Sequence, residues 1–471
     1  MDYYDIKPTE ENLVKEFDND VLGRKAEMIS LIRILDAVDD NYTISLDAPW
    51  GAGKTFFVKQ AVMILNGTNK EFTKNYSSLV TSKQKEIANN YTALTAERYP
   101  LKQDHLAIYF DAWSYDDSEE PVLAIIYNVI RQLDLSENEL ASLDLDSVIS
   151  CFMDLIGLTK GKEILKGVLS AAANLKPKDI LKGVKERSAA REKIDAFFSK
   201  LISKRGARCV IFIDELDRCN PVFAVKLLER IKHYFTCNQI TFVFSTNLSE
   251  LSNTIRCQYG DQFDADRYLD RFFDLRLALQ TPRDIRRYLV RYGYRNDVRE
   301  DETMLEMIKY CHFSLREINH YLKIMHIANG LHRDYQLSGE REILIHQSLV
   351  PILIALKISS ADSYHEFITG GNESLFIDLA YAHISKDILD RLLPDDSSIS
   401  NDSRESNERK ALRNLYHSLF TKNGITTDAL FGIKAGSITF YQDDIDDMEQ
   451  TINILSGVPS IAQVKRENYD E

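Results

Sequence analysis

At 471 residues the chain is long enough for two or three domains, and its 44% apolar and 28% charged content excludes wholesale disorder. A formal net charge of −14 argues against a surface built to neutralise long stretches of nucleic-acid phosphate, so a nucleic-acid motor is disfavoured. The six cysteines are scattered with no CxxC pair, so neither a zinc site nor a disulfide framework is expected, and Cys209 reads as a small core residue.

The N-terminus, MDYYDIKPTEEN, is acidic and polar and unlike a secretory leader, so a reducing cytoplasm is the expected setting. The first apolar run is 42–46 (YTISL), followed by a glycine-containing loop and a helical pattern over 56–65. A second run, 106–110 (LAIYF), precedes a long Lys-rich helical insertion over 121–204. Within it the stretches 148–158 and 164–175 read as amphipathic helices packing on protein, because a membrane span needs roughly 20 predominantly apolar residues. Three further runs follow at 209–213 (CVIFI), 240–245 (ITFVFS) and 273–279 (FDLRLAL).

The first four runs are near-continuously apolar, as strands buried on both faces of a parallel sheet are. Their alternation with helices predicts an α/β three-layer core on a five-stranded, mostly parallel sheet. After Thr281-Pro282 the pattern turns helical, over 284–292, 302–311, 315–328, 340–357 and on to about 393. The polar, Ser/Asn-rich stretch 395–410 reads as a solvated loop, before a short helical and strand-like region and a charged tail. The expected organisation is an α/β core over 1–282, a helical domain over 283–393 and a small C-terminal region over 394–471.

Two motifs carry chemistry. Run 42–46 leads into Asp47-Ala48-Pro49-Trp50-Gly51-Ala52-Gly53-Lys54-Thr55, the strand, loop and helix context of a P-loop. Glycines 51 and 53 let backbone amides turn around phosphate oxygens at a helix N-terminus, so Trp50 to Thr55 form the expected nucleotide-binding stretch. Lys54 is expected to hold the β and γ phosphates and the Thr55 hydroxyl to ligate Mg²⁺. Ala48 stands where the usual pattern has glycine, which is tolerable if that position does not need positive φ.

The second motif is Asp214-Glu215-Leu216-Asp217-Arg218, at the end of run 209–213. Asp214 is the expected Mg²⁺ partner and Glu215 the candidate general base for the attacking water. Ser245-Thr246-Asn247 ends the fourth run; Asn247 either holds the lytic water or caps the helix that follows.

With these motifs in place the chain resembles the KAP family of P-loop NTPases, a branch of the ATPases with an additional strand and a catalytic glutamate. The resemblance spans roughly 15–330. It rests also on Asp20-Val21-Leu22-Gly23-Arg24, on Phe110-Asp111-Ala112-Trp113-Ser114-Tyr115, on IDELDRCNP at 213–221, on Tyr268-Leu269-Asp270-Arg271-Phe272-Phe273 and on Ser314-Leu315-Arg316-Glu317-Ile318. It implies Mg²⁺-dependent ATP hydrolysis; the absence of an NKxD-like guanine reader after the fourth run also favours ATP over GTP. It further implies candidate arginines: Arg316 for an in-cis contact to the γ-phosphate, Arg267 or Arg271 as a finger toward a neighbour's nucleotide. A surface salt bridge is the alternative for each. Trp113 and Tyr115 are expected to pack at the core or its edge. Bacterial members of the family are associated with exclusion and antiviral systems, which implies a regulator acting through a homo-oligomer or an effector partner, without a membrane span. The rival function is a nucleotide-binding switch with little turnover.

Overall fold

The protein is described here by a computed structural model, which covers residues 7–453 apart from 96–98, 157–181, 281–284, 291–292, 295–298, 333–338, 394–400 and 427–431. It divides into two compact units, Lys7–Arg283 and Asp284–Glu471.

The first unit is built on strands β1 (Tyr42–Asp47), β2 (His105–Asp111), β3 (Arg208–Asp214), β4 (Ile240–Thr246) and β5 (Leu275–Ala278). Their order is β2-β3-β4-β1-β5, and every pairing is parallel. Parallel strands need crossover helices, and those helices cover both faces of the sheet. Alternate residues therefore feed two cores. Ile108, Phe110, Ile211, Ile213 and Phe244 face one, with Ile125, Phe197, Phe198 and Leu228 from the crossover helices. Ile44, Val210, Phe212 and Val243 face the other, against helices α1 (Glu10–Asn19), α2 (Lys25–Ala37) and α3 (Lys54–Thr68).

The insertion between β2 and β3 contributes helices Pro121–Gln132, Glu137–Ser142, Leu145–Ile156 and Lys182–Ser203. Its Val122, Val129, Leu145, Val148 and Ile194 pack into the first core, so this segment closes one face of the sheet. The stretch 164–175 lies outside the described residues, as do Thr281 and Pro282 themselves, and the change to helices expected after them is seen from Ile285–Val290 onward.

The second unit is largely helical, with helices Arg299–Tyr310, Leu315–His332 and Val350–Ser359 among its members. The single helix expected over 340–357 is instead interrupted by a π-helical turn, Ile345–Leu349. Pro351 has no N–H and its ring clashes with the carbonyl four residues back, and a widened turn relieves both. The loop expected over 395–410 is corrected from Asn401 onward, where a helix runs over Asn401–Leu419. Burial of Leu412, Leu415, Tyr416 and Leu419 along one side stabilises that helix and carries its polar first turns. Two short hairpins and the helix Gln442–Asn453 follow. Among the described residues no helix is long and apolar enough to cross a membrane.

One buried ionisable contact lies at the start of β2. His105 is 1% exposed, and its Nε2 lies 3.1 Å from Asp36 Oδ1. Burial pushes the imidazole below its ordinary value of 6.5, although Asp36 opposes that shift. The unfolded chain therefore takes up this proton at a higher pH than the folded one. The contribution of neutral His105 is complete above 6.5 and is lost as pH falls through the folded value. Urea unfolding midpoints measured from about pH 7.5 down to about pH 5 should fall more steeply for the wild type than for His105→Asn.

Candidate functional site

Register aligns the strand ends. Asp111 pairs with Asp214, Asp214 with Ser245, and Asp47 with Thr246, so polar residues of four strands meet at the carboxyl edge of the sheet. In open α/β sheets this edge is where ligands bind.

The loop after β1 begins as a continuation of the strand, since the Ala48 N–H donates to the Thr246 carbonyl at 3.2 Å. Positive φ falls at Gly51 (76°) and Gly53 (85°), and Ala48 has none. Alanine is thus compatible with this loop, whereas the turn at 51 and 53 needs glycine. α3 starts at Lys54, which is 8% exposed. Its ammonium donates to the carbonyls of Ala48 at 2.6 Å and Pro49 at 3.2 Å, so it sits inside the loop. Burial lowers its proton affinity, and the carboxylates of Asp217, Asp214 and Glu215 oppose that.

Thr55 Oγ1 donates to Asp214 Oδ2 at 2.8 Å, joining the first turn of α3 to the end of β3. Tyr109, from β2, donates its hydroxyl to the same oxygen at 3.0 Å. Asp214 is fully buried; desolvation raises its pKa, while the hydrogen bonds it accepts work against the rise. Glu215 adopts the left-handed conformation at φ 61° and ψ 24°, uncommon for a residue with a side chain. Its carboxylate is paired with Arg218 at 2.5 Å. Burial and Asp214 push its pKa up, and Arg218 pulls the other way.

Asp217 is 6% exposed and ties two further segments together. It accepts from the Trp50 indole N–H in the loop and, at 3.1 Å, from the Thr246 hydroxyl at the end of β4. Tyr109 and the Trp50–Asp217–Thr246 bridge were not anticipated from sequence. Tyr109 lies inside an apolar run, and the bridge joins residues far apart in the chain.

Asn247 caps the helix Leu248–Tyr259, its side-chain oxygen accepting from the N–H groups of Ser249 at 3.2 Å and Glu250 at 3.4 Å. Arg267 and Arg271 are exposed, and neither makes an ion pair among the described residues. Arg316 is exposed on the helix Leu315–His332 of the second unit. Tyr115 stacks on Phe110 with centroids 5.1 Å apart, whereas Trp113 is 53% exposed.

These residues fit a magnesium nucleotide. Amides of a turn with two positive-φ glycines, a helix N-terminus and a lysine suit phosphate oxygens. The oxygen donors of Thr55 and Asp214 suit a hard divalent cation. A cleft beside Gly53 is lined by Glu16, Leu22, Arg24, Phe56 and Phe57. The Nη1 of this Arg24 is buried without a hydrogen-bond partner among the described residues.

The family model of the KAP family P-loop domain matches residues 24–336. No curated protein matches the chain.

The bridge through Asp217 yields a prediction independent of turnover. Asp217→Ala strips the acceptor from the Trp50 indole, which is exposed enough to turn to water, and from the buried Thr246 hydroxyl, and leaving that one buried group unpaired costs about 1–3 kcal/mol. Urea unfolding should show a loss within that range, with Asp217→Asn recovering part of it.

Proposed function

The chain belongs to the KAP family of P-loop NTPases, and on that premise we propose that it hydrolyses ATP with Mg²⁺ and couples hydrolysis to a conformational or oligomeric change. The observation that carries this reading is the 2.8 Å contact between Thr55 and Asp214, with Glu215 the next residue along the chain. It brings the phosphate loop and the end of β3 to one point, where a metal partner and a base are both at hand.

In this reading the loop amides from Trp50 to Gly53, with Lys54, hold the β and γ phosphates. Thr55 and Asp214 hold the Mg²⁺, which, when bound, neutralises charge developing on the phosphate oxygens. Tyr109 fixes the orientation of the Asp214 carboxylate. Glu215 takes the proton of the attacking water, and its raised proton affinity favours that role. The cleft beside Gly53 supports a place for the nucleoside.

The exposed guanidinium groups of Arg267 and Arg271, which make no ion pair among the described residues, support a finger that reaches a neighbour's nucleotide, and hence a homo-oligomer. Arg316 is the candidate in-cis contact, on the family resemblance alone. For Asn247 the cap supports a positioning role for the helix Leu248–Tyr259 more than a direct role in holding water. Work in a bacterial exclusion or antiviral system, through an effector partner, rests on the family association. A plaque assay comparing wild type with Lys54→Ala tests it: equal plating efficiency of the phage would remove that role.

Steady-state hydrolysis with simultaneous light scattering tests the chemistry. Lys54→Ala should lose nucleotide binding and turnover together. Glu215→Gln should keep binding while kcat drops by about two to four orders of magnitude. Tight ATP binding by the wild type without turnover at any protein concentration would replace hydrolysis by the nucleotide-switch reading.

A further inference from the structure

Immediately beyond Asp214 the chain makes a contact that the hydrolytic reading does not use. Arg218 Nε lies 2.5 Å from Glu215 Oε2, with the two side chains 23% and 20% exposed. The same guanidinium sits over the ring of Trp113, 5.6 Å from its centroid. Trp113 belongs to the short turn Trp113–Tyr115 that follows β2. In the sheet β2 flanks β3 on the side away from β4 and β1, and the phosphate loop follows β1. The Glu215 carboxylate is thus tied to a cation anchored on the far side of β3 from the phosphates' expected seat.

We propose that Arg218 is a positioning residue that latches Glu215 toward β2, and that turnover requires this ion pair to open. The proposal rests on the hydrolytic reading of the same site. A carboxylate that takes a proton from water must lie within hydrogen-bond reach of that water, about 2.6–3.2 Å. With one oxygen held by Arg218, Glu215 has to let go or swing to meet it.

The backbone is built for such a change. The left-handed conformation of Glu215 is one that residues with side chains hold when neighbouring contacts over-determine it. Here those contacts come from the same turn. The Arg218 N–H donates to the Glu215 carbonyl at 3.1 Å, the Cys219 thiol approaches that carbonyl at 3.5 Å, and the ion pair closes the ring of contacts. A further restraint comes from outside the turn, the bond from the Glu215 N–H to Asp214 Oδ1 at 3.1 Å, so opening the pair removes one of four restraints on a strained residue. The remaining hold on Arg218, a contact with a half-exposed tryptophan, is weak.

The test is kinetic and spectroscopic, on the full chain. Wild type, Arg218→Ala, Arg218→Lys and the double variant Arg218→Ala/Glu215→Gln are compared in steady-state ATP hydrolysis. Tryptophan emission is followed as Mg²⁺–ATP is added to wild type, Arg218→Ala and Trp113→Phe; the chain holds two tryptophans, so the last variant assigns the signal. Freeing the carboxylate should raise kcat of Arg218→Ala by about three- to five-fold at unchanged KM, the scale of one partly exposed ion pair. Arg218→Lys should stay near wild type, and the double variant should be inactive. Mg²⁺–ATP should change the emission of the wild type through both tryptophans, and the part that belongs to Trp113, the difference between wild type and Trp113→Phe, should be absent from Arg218→Ala. An equal or lower kcat in folded Arg218→Ala overturns the latch. If Arg218→Ala does not fold, Arg218→Gln takes its place with the same expectation. If no variant turns over ATP, the hydrolytic reading fails, and the emission decides the latch alone: a Trp113-dependent change upholds the opening, and its absence overturns it.

Discussion

Parallel strands that end level with one another set most of what can happen at the edge of this sheet. β3 pairs with β2 on one side and β4 on the other, and β4 pairs with β1, so Asp111, Asp214, Ser245, Thr246 and Asp47 meet along one line. Side chains alternate between faces along a strand, so a one-residue slip of β3 would send Asp214 to the opposite face. It would leave Thr55 and Tyr109, both of which come from the side of the sheet covered by α3. Two apolar cores resist that slip, since it would also exchange Phe212 for Ile211 or Ile213 in each. The contact between Thr55 and Asp214 is therefore held by packing that runs the whole length of the strands.

Burial at that edge sets the electrostatics. The carboxylates of Asp214, Glu215 and Asp217 share the region with Lys54 and Arg218. Desolvation disfavours the charged form of Lys54, Asp214 and Glu215, and the attraction between opposite charges opposes it. Carboxylates outnumber cations in this set, and hard oxygen donors face the phosphate loop, an arrangement suited to a divalent cation carried in with a polyanion. The hydrogen bonds from Thr55 and Tyr109 to a single oxygen of Asp214 offset part of the cost of burying its charge.

Much of this was legible in the sequence, for a physical reason. Strands buried on both faces are apolar at nearly every position, so the runs around Ile44, Ile108, Ile211 and Val243 stand out without alignment or periodicity, and the loop and acidic motifs follow two of them directly. What could not be read depends on tertiary pairing. Tyr109 is one more apolar letter in its run until β2 is set beside β3. Trp50, Asp217 and Thr246 become neighbours through the strand order alone. In the second unit, the polar letters that open the helix Asn401–Leu419 look like a loop because the face that stabilises it begins later, at Ala411 and Leu412.

The end of β4 shows how neighbouring residues divide labour. Asn247 stood as either a water holder or a cap. Its amide oxygen already serves two N–H groups at the start of the helix Leu248–Tyr259, and giving up an N-cap of this type costs about 1 kcal/mol. Thr246, one residue earlier, is fully buried and reaches the acidic motif through Asp217. Asp217 in turn holds the indole of Trp50, inside the phosphate loop. A shift of that loop is therefore felt first by Trp50, then by Asp217, and then by the last residue of β4. Because Asn247 anchors the helix that begins there, a displacement of Thr246 has a short covalent route into Leu248–Tyr259, and from there to the exposed arginines at 267 and 271. The phosphate loop is thus tied to the chain beyond β4 in two ways, directly by the Ala48 N–H on the Thr246 carbonyl and the Leu248 N–H on Asp47, and through a buried aspartate with both oxygens engaged, one from each side.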